Sequence, residues 1–256
     1  MTRRNALATA VAGTAALAAQ TTKTRSYLEL RYFLMRNSRT NQATRTADFI
    51  SSAWIPASKR AGAGLVGVFN AVIAPESPFA LAVTSYPSMG AMQTTLEKLG
   101  ADPVYQKAHA AYSAGPDTPY VRMESTLLRC FAAMPAVDPG TAGASPRTFE
   151  LRTYASDNEA TLQTKIKMFA DAEIDIFRKC GMHPVFFAEA VVGSNLPRLT
   201  YMLAYENLAA REKAWATFGS HPDWQKLKVT PGYSDAEIVS NISNAILRPG
   251  AGSEIR

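Results

Sequence analysis

Residues 148–155, TFELRTYA, alternate apolar and polar side chains with a period of two, the signature of a half-buried strand. Leu162, Ile166, Phe169, Ile176 and Cys180 then recur at helical spacing. A capping box of Ser156 with Glu159 opens this helix and Gly181 closes it. HPVFFAEAVVG (183–193) and RLTYMLAYE (198–206) read as two strands joined by the turn Ser194-Asn195-Leu196-Pro197. A second helix is expected near 207–219 and a last strand near 237–248. The same order occurs earlier in the chain. YLELRYF at 27–33 begins it, followed by a helix that sets Ala43, Ala47, Ile50, Trp54, Ala57 and Ala61 on one face, with Pro56 expected to kink or break it. GAGLVG at 62–67 has the spacing of a dinucleotide-binding loop. A helix precedes it and a strand follows, the reverse of that motif, so it reads as a helix C-cap and turn.

The two runs are copies of one unit. YLELRYF matches TFELRTY at an offset of 121, pairing Glu29 with Glu150 and Arg31 with Arg152. LEKLGADPVYQK (96–107) matches WATFGSHPDWQK (215–226) at 119, setting Gly100 on Gly219, Pro103 on Pro222 and Tyr105 on Trp224. Leu127-Leu128-Arg129 matches Ile246-Leu247-Arg248 at the same offset. Three blocks in one order, shifted by a two-residue indel, indicate an internal duplication. The copies span 26–132 and 148–248, joined by a Pro-, Gly-, Ala- and Ser-rich linker at 133–147 and followed by a tail at 249–256. The order β-α-β-β-α-β is that of a ferredoxin-like unit, a four-stranded antiparallel sheet with helices on one face. Its bare face needs cover. The fold class is therefore α+β, two tandem ferredoxin-like units forming a dimeric-α/β-barrel-type pair within one chain, their sheets face to face.

The N-terminus changes the expected location. Arg3 and Arg4 precede 14 mostly small apolar residues, 6–19, and Ala16-Leu17-Ala18 offers an A-x-A cleavage site. Residues 1–22 read as a signal peptide of the twin-arginine type, so the chain is expected to be periplasmic or otherwise exported. The stretch falls short of the roughly 20 residues of a membrane helix, and no later one is long enough. The net charge is +6, or +4 without Arg3 and Arg4, and its basic residues are scattered among acids. That excludes a nucleic-acid stripe. The two cysteines, Cys130 and Cys180, read as free, half-buried thiols.

Candidate chemistry is sparse. His109, His183 and His221 have no second ligand at metal-motif spacing, so no metal site is expected, and nothing in the chain calls for a cofactor. No G-x-S-x-G elbow or phosphate-binding loop occurs. Glu29 with Arg31, and Glu150 with Arg152, each share a strand face, which favours structural ion pairs. The alternative is that Arg152 anchors an anionic ligand.

At FELRTYA and at FGSHPDWQKL (218–227) the chain resembles NIPSNAP proteins, whose units begin with a Glu-Leu-Arg-aromatic strand and carry a late helical His-Pro-Trp-like block. The resemblance is loose over 26–132 and closer over 148–248. It implies a ferredoxin-like fold of dimeric α/β-barrel type and no particular reaction. The first copy has Asp102 and Tyr105 where the second has His221 and Trp224, which points a ligand site to the second copy: Arg152 for charge, Tyr154 and Trp224 for apolar surface with a polar edge, His221 for titration near neutral pH. The competing reading makes Trp224 core and His221 a cap on the turn before Pro222. Two function classes follow. The favoured one is an exported binding or interaction module for a small hydrophobic or anionic ligand, with a second copy of itself as a further partner. The other is a small-molecule enzyme, a cofactor-independent monooxygenase or a haem- or aromatic-handling protein, suggested by what other dimeric α/β-barrel families do. A haem protein needs a His or Tyr in a pocket. A cofactor-free oxygenase needs a polar cluster inside the barrel.

Overall fold

A computed structural model of the chain describes residues 24–141, 143 and 147–256. The expected signal peptide and part of the expected linker lie outside the described residues. The strands are β1 (Tyr27–Leu34), β2 (Val66–Ile73), β3 (Phe79–Tyr86), β4 (Arg122–Cys130), β5 (Thr148–Ala155), β6 (His183–Val192), β7 (Arg198–Tyr205) and β8 (Asn241–Pro249). They form one closed barrel in the order β1-β3-β2-β8-β5-β7-β6-β4, and every neighbouring pair is antiparallel. Each half contributes four consecutive staves, β4-β1-β3-β2 and β8-β5-β7-β6. The sheets do not stay open and stack face to face. They join edge to edge at β2·β8 and β4·β6, which pairs strand edges that would otherwise be bare and brings the apolar faces together across a lumen.

Helices cover the outside. In the first half these are α1 (Gln42–Phe49), a π-helical turn (Ile50–Trp54), α2 (Ile55–Ala61), α3 (Met89–Ala101) and α4 (Pro103–Ser113). In the second they are α5 (Glu159–Met168), a π-helical turn (Phe169–Glu173), α6 (Ile174–Lys179), α7 (Leu208–Ser220), α8 (Pro222–Leu227) and α9 (Asp235–Ile238). Pro56 does not break its helix, which runs on from residue 42 to 61. The π turn instead rotates the buried face by about one residue, so Gln42, Thr46 and Phe49 are inside where Ala43 and Ala47 were expected. The cap of α5 is Asn158 with Thr161, because Ser156 is buried and donates to the Ile238 carbonyl at 2.9 Å. The expected last strand begins later, at Asn241, after the short α9. Gly62, at φ +110°, ends α2 as a left-handed cap.

Alternation sends Leu28, Leu30, Phe149, Leu151, Met202 and Leu247 into the lumen and Glu29, Arg31, Glu150 and Arg152 toward the helices. The seams are partial. β2 pairs with β8 only at Phe69–Ile73 against Ile246–Pro249, and β4 meets β6 only at Leu127–Cys130. Beyond the seams, 122–126 of β4 and 241–245 of β8 have a strand partner on one side only, which leaves the barrel open there. The residues expected as a tail help close it. Ile255 is fully buried in the lumen cluster, while Val68 N–H donates to Ser253 Oγ (2.9 Å) and Glu254 N–H to the Val66 carbonyl (2.9 Å). Gly67 permits this approach, since a Cβ there would lie 2.8 Å from Ile255 Cδ1.

Candidate functional site

At the open end the inward positions turn polar. Two residues beyond Leu30 comes Tyr32, beyond Leu151 comes Thr153, and Met202 is preceded at two-residue steps by Thr200 and Arg198. Likewise Leu128 is preceded by Thr126 and Glu124, and Leu247 by Ala245 and Ser243. The polar side chains among these, with Gly193, Ser194 and Asn195 of the β6–β7 turn, line a cavity of about 600 Å³. A second hollow of about 430 Å³, on the β2·β8 side, shares Tyr32, Glu124, Thr153, Asn195 and Ser243. Both open where the seams end.

Arg198 is the charge of this mouth. Its Nη2 donates to Thr126 Oγ1 at 2.9 Å, and its buried Nε has no hydrogen-bond partner. Among the described residues no carboxylate lies within ion-pairing distance of it. Burial lowers its pKa, against the opposing influence of Tyr32 and Glu124. Burial also pushes the Tyr32 phenol up to about 12, opposed by Arg198, so Tyr32 stays a neutral donor and acceptor at ordinary pH. Glu124 is spent at the rim on Arg122 Nε, at 2.7 Å. Thr153 and Thr200 share a hydrogen bond of 3.0 Å.

The four residues expected to form a site lie elsewhere. Arg152 and Tyr154 do meet, on the helix side of β5. Arg152 Nη1 donates to Glu150 Oε1 (2.9 Å), Nη2 to the Tyr154 hydroxyl (3.2 Å), and its guanidinium sits 4.7 Å from the Trp215 ring centroid. His221 caps α8, its Nδ1 accepting from Asp223 N–H at 3.2 Å. Trp224 packs on Phe218 at 4.5 Å, and Phe218 on Trp215 at 5.5 Å. None of the four lines the barrel mouth. Tyr32 and Arg198 were not singled out from sequence, although each sits in phase with the inward positions of its strand.

No group of three or more His, Cys, Asp or Glu side chains among the described residues could hold a metal ion. Cys130 and Cys180 are both buried and unlinked, and burial pushes the Cys130 thiol up to about 12. Of the side chains that could ligate a haem, Tyr32 lines the mouth and no histidine does, while His109 and His183 border separate hollows of about 80 and 410 Å³. No described helix is long and apolar enough to cross a membrane.

No curated protein matches the chain in sequence. Solved structures match it over most of its length. A candidate monooxygenase from Fusobacterium nucleatum is 10% identical with a TM-score of 0.54, covering 88% of this chain and 93% of its own. A candidate monooxygenase from Lactobacillus acidophilus is 12% identical with a TM-score of 0.52, covering 90% and 97%. An anthrone oxidase-like protein is 8% identical with a TM-score of 0.54, covering 89% and 92%. At such identities the likeness is one of fold alone, a mixed α/β barrel. The NIPSNAP family model matches residues 149–254 of the chain.

Proposed function

We propose that the barrel mouth binds a small organic anion, with Arg198 as its charge anchor and Tyr32, Thr126, Thr153, Thr200 and Ser243 as neutral hydrogen-bond partners. The observation that carries this reading is the part-buried Arg198, whose Nε has no acceptor and which forms no ion pair with a carboxylate of the described residues. Taking a guanidinium out of water is costly unless it is paired, and a carboxylate or enolate oxygen would supply the missing acceptor. Leu30, Leu34, Phe79 and Leu151 border the same space, so the fitting ligand is amphipathic, an anionic head on an apolar or aromatic body. In a thermal-shift screen of aromatic and aliphatic carboxylates, a binder should raise Tm in the wild type and lose at least about tenfold in affinity in Arg198→Gln. Unchanged affinity in that variant would contradict the reading. An oxygenase is the second reading, favoured by the polar cluster inside the barrel, since a group that holds a carboxylate also stabilises an enolate or phenolate. Oxygen uptake with an enolisable aromatic substrate, lost in Arg198→Gln, would select it over simple binding.

The rest of the proposal concerns what surrounds the site. The chain reads as two tandem ferredoxin-like units, 26–132 and 148–248. The identical strand order of the halves supports this, as do the π-helical turns beginning at Ile50 and Phe169, which keep the spacing of the later repeats. Each half then depends on the other for its lumen face. Residues 148–256 expressed alone should aggregate or self-associate, and a soluble monomer would count against the paired units. Export by the twin-arginine route rests on Arg3 and Arg4. Changing both to Lys should retain the chain in the cytoplasm, and normal export of that variant would remove the assignment.

A further inference from the structure

Apart from the barrel mouth, a small cavity of about 80 Å³ lies in the helix layer of the first half. Trp54, from the π-helical turn, borders it. Trp54 is 2% exposed, and its indole N–H is buried without an acceptor. Arg31 enters from β1, its Nε and Nη2 committed to Glu29 at 2.9 and 2.7 Å and its guanidinium carbon 5.9 Å from the Trp54 ring. Tyr105 of α4 faces the same space. Burial raises its pKa against the pull of Arg31, so its hydroxyl keeps its proton. Phe33 and Phe49 supply apolar walls, packed on Trp54 at 6.5 Å and on Tyr105 at 6.0 Å. The cavity thus brings one buried indole N–H without an acceptor beside a guanidinium and a phenol, between apolar walls.

The other half shows what such a place looks like when its polar groups are satisfied. At the repeat spacing of 119, Glu173 stands where the first half has Trp54, and Lys165 where it has Thr46. These two form a buried ion pair at 3.1 Å. Thr46 instead bonds with the Tyr112 hydroxyl at 2.8 Å, so nothing of negative charge reaches Trp54 from that side.

We propose that the first-half cavity is a binding site for a small planar oxyanion, a carboxylate in size and shape, held between the Trp54 indole N–H, the Arg31 guanidinium and the Tyr105 hydroxyl. The volume is the liquid share of two to three waters at about 30 Å³ each, enough for a carboxylate with one or two carbons. The donors ask for oxygen acceptors, and Arg31, whose Nε and Nη2 are held by Glu29, has Nη1 left to offer one of them.

The test uses the full chain labelled with ¹⁵N and follows its three tryptophan indole N–H resonances, with sodium acetate titrated against sodium chloride at constant ionic strength. The Trp54 resonance, identified by its loss in Trp54→Phe, should move downfield and saturate with acetate. The Trp215 resonance, whose N–H already donates to Glu150 at 2.8 Å, should not follow it. Tyr105→Phe, which removes one hydroxyl and keeps the ring, should weaken acetate about tenfold. Benzoate in place of acetate separates a free small anion from the head group of a larger acid. A Trp54 resonance that does not saturate, or that moves equally with chloride, would overturn the proposal. So would wild-type affinity in Tyr105→Phe.

Discussion

Replacing Glu150 with alanine is expected to cost about 3–5 kcal/mol of folding stability, the range for removing one partner of a buried ionic network. Glu150 is fully buried and gathers donors from four elements. Arg152 Nη1 reaches it at 2.9 Å, Arg211 Nε and Nη2 at 2.9 and 2.7 Å, and Trp215 Nε1 at 2.8 Å. The Tyr205 hydroxyl and Asn244 Nδ2 each add a bond at 3.2 Å. Without the carboxylate, Arg152 loses its counter-charge, Arg211 keeps only the exposed Glu212, and α7 loses its tie to the barrel wall. Urea unfolding of Glu150→Ala against wild type measures this, and a loss below about 1 kcal/mol, the scale of an exposed ion pair, would contradict the account. The pH dependence has a definite sign. Burial opposes ionisation of Glu150, but the Arg211 hydrogen bonds, the Arg152 charge and the Trp215 N–H outweigh it and hold the carboxyl below its ordinary value. A depressed folded-state pKa gives stability that is present above the unfolded value, about 4.3, and is lost as pH falls through the folded one. Glu150→Gln should therefore flatten the acid limb of the stability curve below about pH 4. Glu29, the first-half counterpart, draws on Arg31, on Ser125 Oγ at 2.7 Å and on a long contact from Tyr86 at 3.4 Å, so its removal should cost less.

Lys165→Met should be comparably damaging, by about 3–5 kcal/mol, and a second substitution should largely reverse it. Lys165 is fully buried, with Nζ 3.1 Å from Glu173 Oε2 and 3.0 Å from Asp235 Oδ1, above the Phe169 ring at 4.8 Å. Burial disfavours its charge, yet the two carboxylates raise its pKa and keep it protonated. Glu173, 3% exposed, has its own pKa pushed up by burial, so without Lys165 it becomes an uncompensated buried acid. The double variant Lys165→Met/Glu173→Leu removes that penalty and leaves an apolar contact with Phe169. Its unfolding free energy should lie well above that of the single variant. If single and double variants are equally unstable, the loss comes from packing and from the Asp235 tether to α9, not from a stranded charge.

The strands and the Glu-x-Arg faces were legible because they depend on local alternation. Which face looks into the lumen was not, since period-two patterning marks two faces without ranking them, and in β3 and β7 nearly every residue is buried on both. Arg198 illustrates the difficulty. Beside Pro197 it reads as an ordinary polar strand start, and only the partial β4·β6 seam, a non-local feature, leaves it in an open mouth with no carboxylate of the described residues at ion-pairing distance. His221 and Trp224 attracted notice as ionisable and aromatic differences between the copies, yet His221 does the same capping work as Asp102, which accepts from Val104 N–H at 2.9 Å. The π-helical turns leave no mark in a 3.6-residue pattern, so the buried face of α1 was misphased by one position.

A crystal structure of the full chain with the carboxylate that raises Tm most tests the central claim directly. The account expects the carboxylate against Arg198 Nε, within hydrogen-bonding distance of Tyr32 or Thr126, and its apolar body toward Leu30 and Phe79. Ligand density on the helix side, around Arg152, Tyr154, His221 and Trp224 with the barrel mouth empty, would contradict it.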